Sequence, residues 1–425
     1  MQDLQEHAIV DLVSPQVLSV LQFRAFSEPL LPNLKSFGLW TTRCDSIPFI
    51  PLFLSPRTTT ISINFALSGA DHSKAVIASM IATLPTLCPS LQQICFYSLP
   101  RDPMITSAVS KLLLTTNQNT LSYFFANSPL LEGAREVVYK LPCLGVLRTL
   151  ITVPTVLPMV VLPSLTELDV EYDRNHDWLQ GFCGASLGKL ASLSIRSNSD
   201  TIGDVLGAFE TVALTTSIPA TLLTFNFLTS CSWRPNYCSL LPFTQLKELV
   251  IGFSCELGCS STIDDDTITA LARAMPKLET LRFGNPPCKT PAGVTTKGLS
   301  ALAHYCLRLS ELCVHFQVAS FDPSQMPGFA SSDDCTVPRD ACALTDLNVG
   351  DTRMPKESAL MVALTLTRIF PRLKWIEHTN TRGWQEVARA IGLSIELADS
   401  SSKKPTFAAP RLAVDDTSPG PRRAL

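Results

Sequence analysis

The stretch MPKLETLRF, residues 275–283, contains a short leucine frame that returns along most of the chain. Its anchor, Leu278, is followed three and five positions later by the apolar residues Leu281 and Phe283. The segment CLRLSELCV, residues 306–314, repeats the frame. Because alternate side chains of a β-strand point to opposite faces, positions +3 and +5 after the anchor face the same side. The frame therefore predicts a strand with one apolar face.

The same frame occurs thirteen times along the chain, and its N-terminal copies are the least regular. The mean spacing of about 28 residues lies within the range of roughly 20 to 29 residues that is typical of leucine-rich repeats. One such unit cannot bury its apolar face alone, whereas stacked units share a continuous core and pair their strands in parallel. The predicted anchors are Leu34, Thr58, Leu91, Leu121, Leu144, Leu165, Leu190, Leu222, Leu246, Leu278, Leu309, Leu344 and Leu373.

Amphipathic helices are predicted between several of the strands. In residues 264–278 and 295–309, apolar side chains recur at the i, i+3, i+4, i+7 spacing of a helix with one buried face. The acidic run 264–266 suits a helix N-terminus, where it supplies an N-cap and a favourable charge. A further helix is expected over 357–370, before Pro371. The alternation predicts an α/β fold, a leucine-rich-repeat solenoid (horseshoe) with a parallel sheet on the concave face and helices on the convex face.

The composition divides the chain into three regions. Residues 1–30 are expected to form an N-terminal cap helix and linker, with Ser14 as the N-cap and Pro15 at the first helical position. Residues 31–397 hold the predicted solenoid of about thirteen units. Residues 398–425 contain few apolar residues and many helix breakers, so we expect a disordered tail.

The bulk composition excludes several classes of protein. The chain has 425 residues, of which 46% are apolar and 17% are charged, and its net charge is −3. There is ample material for a core and no overall basic field to attract nucleic acid or an anionic membrane surface. The N-terminus lacks the pattern of a signal peptide, and no stretch approaches the roughly 18 apolar residues of a membrane span. We expect a soluble intracellular monomer, cytoplasmic or nuclear, that binds neither nucleic acid nor membranes.

One short motif favours an enzyme. Residues 184–188 read G-x-S-x-G, the nucleophile elbow of serine hydrolases, which needs a strand before its serine and a helix after it. Ser186 is followed instead by a strand of the repeat frame, residues 187–195. A serine hydrolase that uses Ser186 is therefore a remote alternative, and no catalytic residue is expected.

The fourteen cysteines are scattered and include no Cys-x-x-Cys pair. Cys95, Cys306 and Cys313 replace aliphatic residues within apolar patterns, which is typical of buried thiols. The closest cysteine pairs have no histidine at the spacing of a zinc ligand. We therefore expect no bound metal and no cofactor.

The strand positions that face away from the core are the candidate binding residues, because they form the concave surface of a solenoid. In the N-terminal third these positions carry aromatic side chains, which often anchor protein interfaces. An alternative is that neighbouring loops cover these rings. The aromatic candidates are Trp40, Tyr97, Tyr123 and Phe125.

The segment LTELDVEYD, residues 165–173, places four carboxylates on one strand face. We interpret Glu167, Asp169, Glu171 and Asp173 as a site for a segment of a partner protein that is rich in lysine and arginine. The alternative is a solvated acidic face without a partner. Arg196 on the next unit could neutralise part of this charge.

A mixed polar stretch follows further along the predicted concave surface. Arg282, Glu311 and His315 fall at outward positions of two consecutive units and could form hydrogen bonds with a partner. Together with the aromatic and acidic candidates, they predict a surface for binding another protein.

Two passages resemble a known family. In ALARAMPKLETLRFG, residues 270–284, and ALAHYCLRLSELCVHF, residues 301–316, an alanine-rich helix runs through Pro or Cys into the leucine frame. Both resemble the leucine-rich repeats of F-box proteins, in particular fungal F-box/leucine-rich-repeat proteins. The resemblance covers about residues 31–397 and is strongest from 262 to 378.

The resemblance implies that the chain is a protein-binding module, the substrate-recognition arm of an F-box type (SCF, cullin-RING) ubiquitin ligase, which acts in ubiquitin-dependent protein degradation. In such proteins a three-helix F-box binds the adaptor subunit and the repeats hold the substrate. Only one helix is predicted before the first repeat, so no F-box is evident and the arm would be truncated or would lack adaptor binding. The alternative is a stand-alone leucine-rich-repeat scaffold unrelated to ubiquitin.

Overall fold

The computed structural model describes the greater part of the repeat region. Asp173, Ser186, residues 319–341 and the predicted tail, residues 398–425, lie outside the described residues. The described residues are 15–24, 29–40, 44–65, 73–116, 118–151, 162–172, 188–197, 221–230, 237–254, 263–284, 293–318, 342–350, 352, 354–378 and 382–392.

Within these residues, thirteen strands form one parallel sheet whose spatial order is the order of the chain. Each predicted anchor lies two residues before the first residue of one strand, so the sequence frame and the ladder coincide. The strands are β1 (Ser36–Trp40), β2 (Thr60–Asn64), β3 (Gln93–Tyr97), β4 (Tyr123–Pro129), β5 (Val146–Ile151), β6 (Glu167–Tyr172), β7 (Ser192–Ser197), β8 (Thr224–Ser230), β9 (Glu248–Ser254), β10 (Thr280–Phe283), β11 (Glu311–Cys313), β12 (Asp346–Asn348) and β13 (Trp375–Glu377).

The +3 residues of the frame form one continuous inward column. Each of them is directly opposite its neighbour on the next strand, and all are buried. This arrangement confirms the leucine-rich-repeat solenoid that the frame predicts. The column consists of Phe37, Ile61, Ile94, Phe124, Leu147, Leu168, Leu193, Phe225, Leu249, Leu281, Leu312, Leu347 and Ile376.

The +5 residues form a second buried column, in which Thr149 and His378 are the polar members.

Among the anchors, Thr58 stands where most repeats have leucine. Its hydroxyl donates to the Leu34 carbonyl over 3.0 Å and accepts from the Ser55 backbone N–H over 3.1 Å. Because its hydrogen-bonding groups are satisfied inside the protein, this threonine can be fully buried in an apolar position.

The helices lie between the strands along the chain, and neighbouring helices pack side by side at both ends of the solenoid. The helix predicted from Pro15 is present, and its Leu18 is buried in the core. The helices are α1 (Pro15–Arg24), α2 (Ser73–Leu87), α3 (Pro103–Thr115), α4 (Glu132–Val138), α5 (Asp265–Ala274), α6 (Thr296–Tyr305), α7 (Ala359–Ile369) and α8 (Arg382–Ile391), and 3-10 segments cover Cys44–Leu52, Tyr237–Leu240 and Lys356–Ser358.

The acidic run before α5 acts as the sequence predicts. The Asp264 side chain accepts a hydrogen bond from the Thr267 backbone N–H over 2.8 Å and so caps the helix. The helix ends at Ala274, four residues before the predicted end, because a turn closed by the Leu278 N–H and the Met275 carbonyl leads the chain back to the strand. Residues 275–278 therefore form a turn, and the helix is shorter than the apolar pattern of residues 264–278 indicates.

The curvature follows from the different widths of the two layers. Packed helices lie roughly 8 to 10 Å apart, whereas neighbouring strands lie about 4.8 Å apart. The layer of helices is therefore the longer one and forms the convex side. The sheet forms the inner, concave side.

The cysteines predicted to be buried thiols are buried. Cys306 is fully enclosed, and burial raises the pKa of its thiol to about 12. Cys95 and Cys313 face the concave side but are covered by their neighbours, and burial raises the pKa of the Cys95 thiol to about 11. At neutral pH these thiols are protonated, so they behave as small apolar side chains.

Candidate protein-binding surface

The side chains that point away from the two buried columns define the concave face. In the first row of this face, the +2 residues stand opposite one another from β1 to β13, and in the second row the +4 residues do the same. The first row is Ser36, Thr60, Gln93, Tyr123, Val146, Glu167, Ser192, Thr224, Glu248, Thr280, Glu311, Asp346 and Trp375; the second is Gly38, Ser62, Cys95, Phe125, Arg148, Asp169, Ser194, Asn226, Val250, Arg282, Cys313, Asn348 and Glu377.

Three of the predicted aromatic residues meet on the concave face of the first four strands. The rings of Trp40 and Tyr97 are stacked, with centroids 5.8 Å apart, and the rings of Tyr97 and Phe125 lie 4.6 Å apart. Trp40 and Tyr97 belong to strands on either side of β2, so their rings meet across the position of Asn64. We call Trp40, Tyr97 and Phe125 the aromatic cluster.

The aromatic cluster is open to solvent at one edge. Trp40 is 47% exposed, while Tyr97 and Phe125 are half-buried. The alternative in which loops cover these rings therefore does not apply to Trp40. A third outward row consists of the +6 residues, to which Trp40 and Tyr97 belong. None of the twelve outward positions on β1 to β4, at +2, +4 and +6 of the frame, carries a charged side chain. This end of the face is an uncharged surface with an aromatic anchor.

Tyr123 lies in the first row, beside the aromatic cluster and towards the middle of the sheet. It is half-buried, and burial raises the pKa of its hydroxyl above the usual range. The Tyr123 and Tyr97 hydroxyls both approach the Cys95 thiol. Tyr123 is therefore linked to Tyr97 of the aromatic cluster through the Cys95 thiol.

The acidic strand β6 differs from the sequence-based interpretation. Glu167, Asp169 and Glu171 do share the concave face, and Leu168 and Val170 face the core. However, each carboxylate contacts an arginine of this chain. Arg148 binds Glu167 and lies 4.0 Å from Asp169, Arg196 binds Asp169, and the Arg101 Nη2 atom is 3.0 Å from the Glu171 Oε1 atom.

Asp169 has the most buried side chain among the ion pairs of β6. Asp169 is only 6% exposed, and burial raises its pKa even though Arg196 and Arg148 act in the opposite direction. Burial disfavours the charge on Arg148, but Tyr123 and Glu167 outweigh it and the pKa of Arg148 is raised. A charge-balanced network that is buried only at Asp169 thus occupies the middle of the sheet.

The hypothesis that β6 receives a basic segment stays a prediction, in which such a segment would compete with arginines of this chain. Asp169 is buried between two arginines, and Glu167 and Glu171 already have partners. Asp173 lies outside the described residues. The sequence analysis names Arg196 as a possible partner. The frame also places Arg148 opposite Asp169, whereas Arg101 lies 70 residues before Glu171 and outside the frame.

The polar residues further along the face lie where the frame predicts. Arg282 on β10 and Glu311 on β11 form a salt bridge across neighbouring strands, and both side chains are partly exposed. His315 follows β11 and is half-buried, in contact distance of the position of Gly284. These residues form a polar part of the concave face at β10 and β11.

A pocket of about 290 Å³ opens on the last three strands. Of the residues that line this pocket, only Glu311 is among the site residues predicted from the sequence. The frame would have placed the others as well, since Asp346, Asn348, Trp375 and Glu377 stand at outward positions. The pocket is lined by Glu311, Asp346, Leu347, Asn348, Trp375 and Glu377.

The concave face from β9 to β13 is acidic. Its outward positions carry four carboxylates, on Glu248, Glu311, Asp346 and Glu377, against the single guanidinium of Arg282. Burial raises the pKa of Glu248, with Arg282 opposing the shift. In the described part of the chain, no group of three or more histidine, cysteine or acidic side chains could hold a metal ion. The carboxylates of this region are thus arranged along the surface rather than around one point.

No family model matches the chain, and no curated protein matches it. One similar solved structure is a protein from Bacteroides fragilis, with 11% identity and a TM-score of 0.36, covering 60% of this chain and 77% of that chain. Another is TLR13 in its complex with ssRNA13, with 11% identity and a TM-score of 0.33, covering 88% of this chain. This chain spans 59% of the length of that TLR13 chain. The solenoid assignment rests on the strand register described above.

None of the described helices has the length and apolar character needed to cross a membrane.

Proposed function

We propose that this protein is a recognition scaffold that binds another protein through its concave face and catalyses no reaction. The aromatic cluster supports this proposal most directly. A tryptophan that is 47% exposed, held by stacking on Tyr97, is a large apolar side chain kept in one orientation on a rigid sheet. Such side chains are enriched among the residues that dominate binding energy in protein interfaces.

The sheet adds pre-organisation to this anchor. Strands in one continuous ladder hold the outward side chains at fixed spacing, so little conformational entropy is lost when a partner binds. Stacked repeats also provide an elongated concave surface, which fits a protein segment better than a small molecule. The described residues therefore favour recognition of a protein.

The more specific proposal is that the chain is the substrate-recognition arm of an F-box type ubiquitin ligase. Its support is the resemblance of residues 270–284 and 301–316 to the repeats of F-box proteins. The second candidate is a stand-alone scaffold unrelated to ubiquitin, which would present the same concave face.

Affinity purification from the native cell, followed by mass spectrometry, tests both levels of the proposal. The full chain is compared with the double variant Trp40→Ala/Tyr97→Ala. The matched control is Met104→Ala/Leu114→Ala, which removes exposed apolar side chains from the convex helix α3. We expect partner proteins that the control retains and the aromatic variant loses.

The outcomes separate the candidates. Copurified adaptor and cullin subunits would support the ligase arm, and partners without them would support the stand-alone scaffold. Partners retained equally by both variants would contradict binding through the aromatic cluster. For the remote alternative that uses Ser186, we expect no labelling by a serine-directed fluorophosphonate probe.

A further inference from the structure

The pocket on β11 to β13 lies at the opposite end of the concave face from the aromatic cluster. Glu311, Asp346 and Trp375 stand side by side in the first row, and Asn348 and Glu377 stand in the second. The Trp375 indole is half-buried and forms one wall. The pocket thus combines an aromatic surface with carboxylates on adjacent strands.

The carboxylates of the pocket are not equivalent. Glu311 is bound to Arg282, whereas Asp346 and Glu377 form no salt bridge with any cationic side chain in the described part of the chain. Both are exposed. Two carboxylates therefore face the pocket without a cationic partner among the described residues, in contrast to those of β6.

Neutral donors fix the orientation of these two carboxylates. The Gly350 backbone N–H donates to the Asn348 Oδ1 atom over 2.9 Å, which leaves the Asn348 Nδ2 group to donate to the Glu377 Oε2 atom over 2.8 Å. The Thr345 hydroxyl donates to the Asp346 Oδ2 atom over 2.5 Å. Each carboxylate keeps further lone pairs for a cation, because an ionised carboxylate accepts about four hydrogen bonds.

The volume restricts what can enter. At about 290 Å³, the pocket is at the lower limit of the roughly 300 to 1,000 Å³ of small-molecule sites. One long side chain fits this space better than a cofactor. A guanidinium group can stack on an indole ring and at the same time donate paired hydrogen bonds to a carboxylate, which an ammonium group cannot do with the same geometry.

We propose that this pocket binds one arginine side chain of the partner protein. The proposal rests on the proposed function, since it names a residue type in the protein that the concave face recognises. The guanidinium stacks on Trp375 and pairs with Asp346 and Glu377. The partner therefore presents an apolar or aromatic surface to β1–β4 and an arginine to β11–β13.

Fluorine NMR of the full chain labelled with 5-fluorotryptophan tests the proposal. The five tryptophans give separate probes, and Trp375 is assigned by its loss in Trp375→Phe. The probe ligand is a capped peptide of alternating glycine and arginine, and its matched control has citrulline, a neutral isostere, in place of each arginine. We expect the Trp375 resonance to shift saturably with the arginine peptide at millimolar concentration and not with the citrulline peptide.

The variant Asp346→Asn/Glu377→Gln removes the two charges while keeping the side-chain shapes. We expect it to weaken the arginine peptide at least about tenfold, which corresponds to roughly 1.4 kcal/mol. The control Glu132→Gln/Glu136→Gln on α4 changes the net charge equally, far from the pocket, and should bind as the unmodified chain does. The resonance of the fully buried Trp384 reports whether each variant is folded.

Three results would overturn the proposal: equal shifts of Trp375 with both peptides, no shift with the arginine peptide, or unchanged affinity in the folded Asp346→Asn/Glu377→Gln variant. None of them bears on the aromatic cluster, whose test is the purification with Trp40→Ala/Tyr97→Ala. Failure of the arginine pocket and failure of the recognition function can therefore be told apart.

Discussion

The two ends of the concave face share a backbone frame and differ in chemistry. From β1 to β4 the outward positions carry no charge and include the aromatic cluster, whereas from β9 to β13 they carry four carboxylates and one arginine. The inward columns do not change in this way, because every strand must fill the same core. The inward columns therefore serve stability, and in the proposed function the outward rows serve recognition.

The middle of the sheet makes the comparison sharper. On β6, carboxylates at outward positions are paired with Arg148, Arg196 and Arg101, and Asp169 is buried. The same residue types on β12 and β13 are exposed and without a cationic partner among the described residues. An acidic run in the sequence therefore does not by itself indicate a binding site, since the partners that neutralise it decide its role.

The largest expected effect concerns the shared core. Leu281→Ala at the C-terminal end and Phe124→Ala at the N-terminal end each remove a fully or almost fully buried side chain from the +3 column. We expect each to lower the free energy of unfolding by about 2 to 5 kcal/mol, because burial is lost and a cavity remains. Urea unfolding followed by circular dichroism measures this. A negligible loss at one end would show that the two ends do not share one core.

The second largest effect on stability is expected from a contact between neighbouring repeats at the C-terminal end. Asp265 accepts hydrogen bonds from the backbone N–H groups of Thr295 and Gly298, 2.8 and 2.9 Å away, and from the Thr295 hydroxyl, at the start of α6. We expect Asp265→Ala to cost about 1 to 3 kcal/mol, since these donors lose their acceptor. Thermal unfolding monitored by circular dichroism gives the difference.

The matched control is Asp266→Ala, whose side chain is 88% exposed and contacts Lys297 on the surface. Exposed ion pairs contribute little, so we expect a change within about 0.5 kcal/mol. Gly298→Ala offers a second route to the same contact, because a Cβ atom there would lie 2.6 Å from the Asp265 Oδ1 atom. Equal stability of Asp265→Ala and Asp266→Ala would argue against a role for this contact.

The smallest effect is a pH dependence at the last strand. His378 occupies the +5 column with no exposed surface and no hydrogen-bond partner for either ring nitrogen among the described residues. Burial lowers its pKa below the ordinary value, so the folded state favours the neutral ring. Its contribution to stability is present above about pH 6.5, the pKa of an unfolded histidine, and is lost as the pH falls below that value.

Replacing this ring should reduce the acid sensitivity. We expect His378→Leu to lose less stability than the unmodified chain between pH 7 and pH 5, a range set by the unfolded pKa of roughly 6.5. His304→Gln, on the partly exposed surface of α6, is the control. Parallel stability curves for the unmodified chain and His378→Leu would show that His378 is not the group that titrates.

The sequence predicts the fold well because the signal is local and repeated. Leu168, Leu193 and Leu281 stand at the same position of one frame, and a strand with alternating faces has one way to bury them. The same alternation places Trp40 and Tyr97 on the concave face. That their rings stack could not be predicted, because the contact crosses the intervening strand β2.

The charges of the face were less predictable for a physical reason. Whether a carboxylate such as Asp169 or Asp346 is compensated depends on side chains from other elements, and Arg101 comes from the loop after β3 to reach Glu171 on β6. The repeat frame places Arg148 opposite Asp169, but it contains no information about a partner from a loop such as Arg101. The frame alone therefore does not distinguish the paired carboxylates of β6 from the exposed ones of β12, and Trp375 and Glu377 were not among the predicted site residues.

Site-specific photo-crosslinking in the native cell tests whether the concave sheet is the surface that binds another protein. The crosslinker p-benzoylphenylalanine replaces Ser62 or Ser194 on the concave face, and Lys111 or Arg368 on the convex helices. We predict that both concave positions form adducts with another protein and that both convex positions do not. Adducts from the convex positions, with none from Ser62 or Ser194, would show that the concave sheet is not the binding surface.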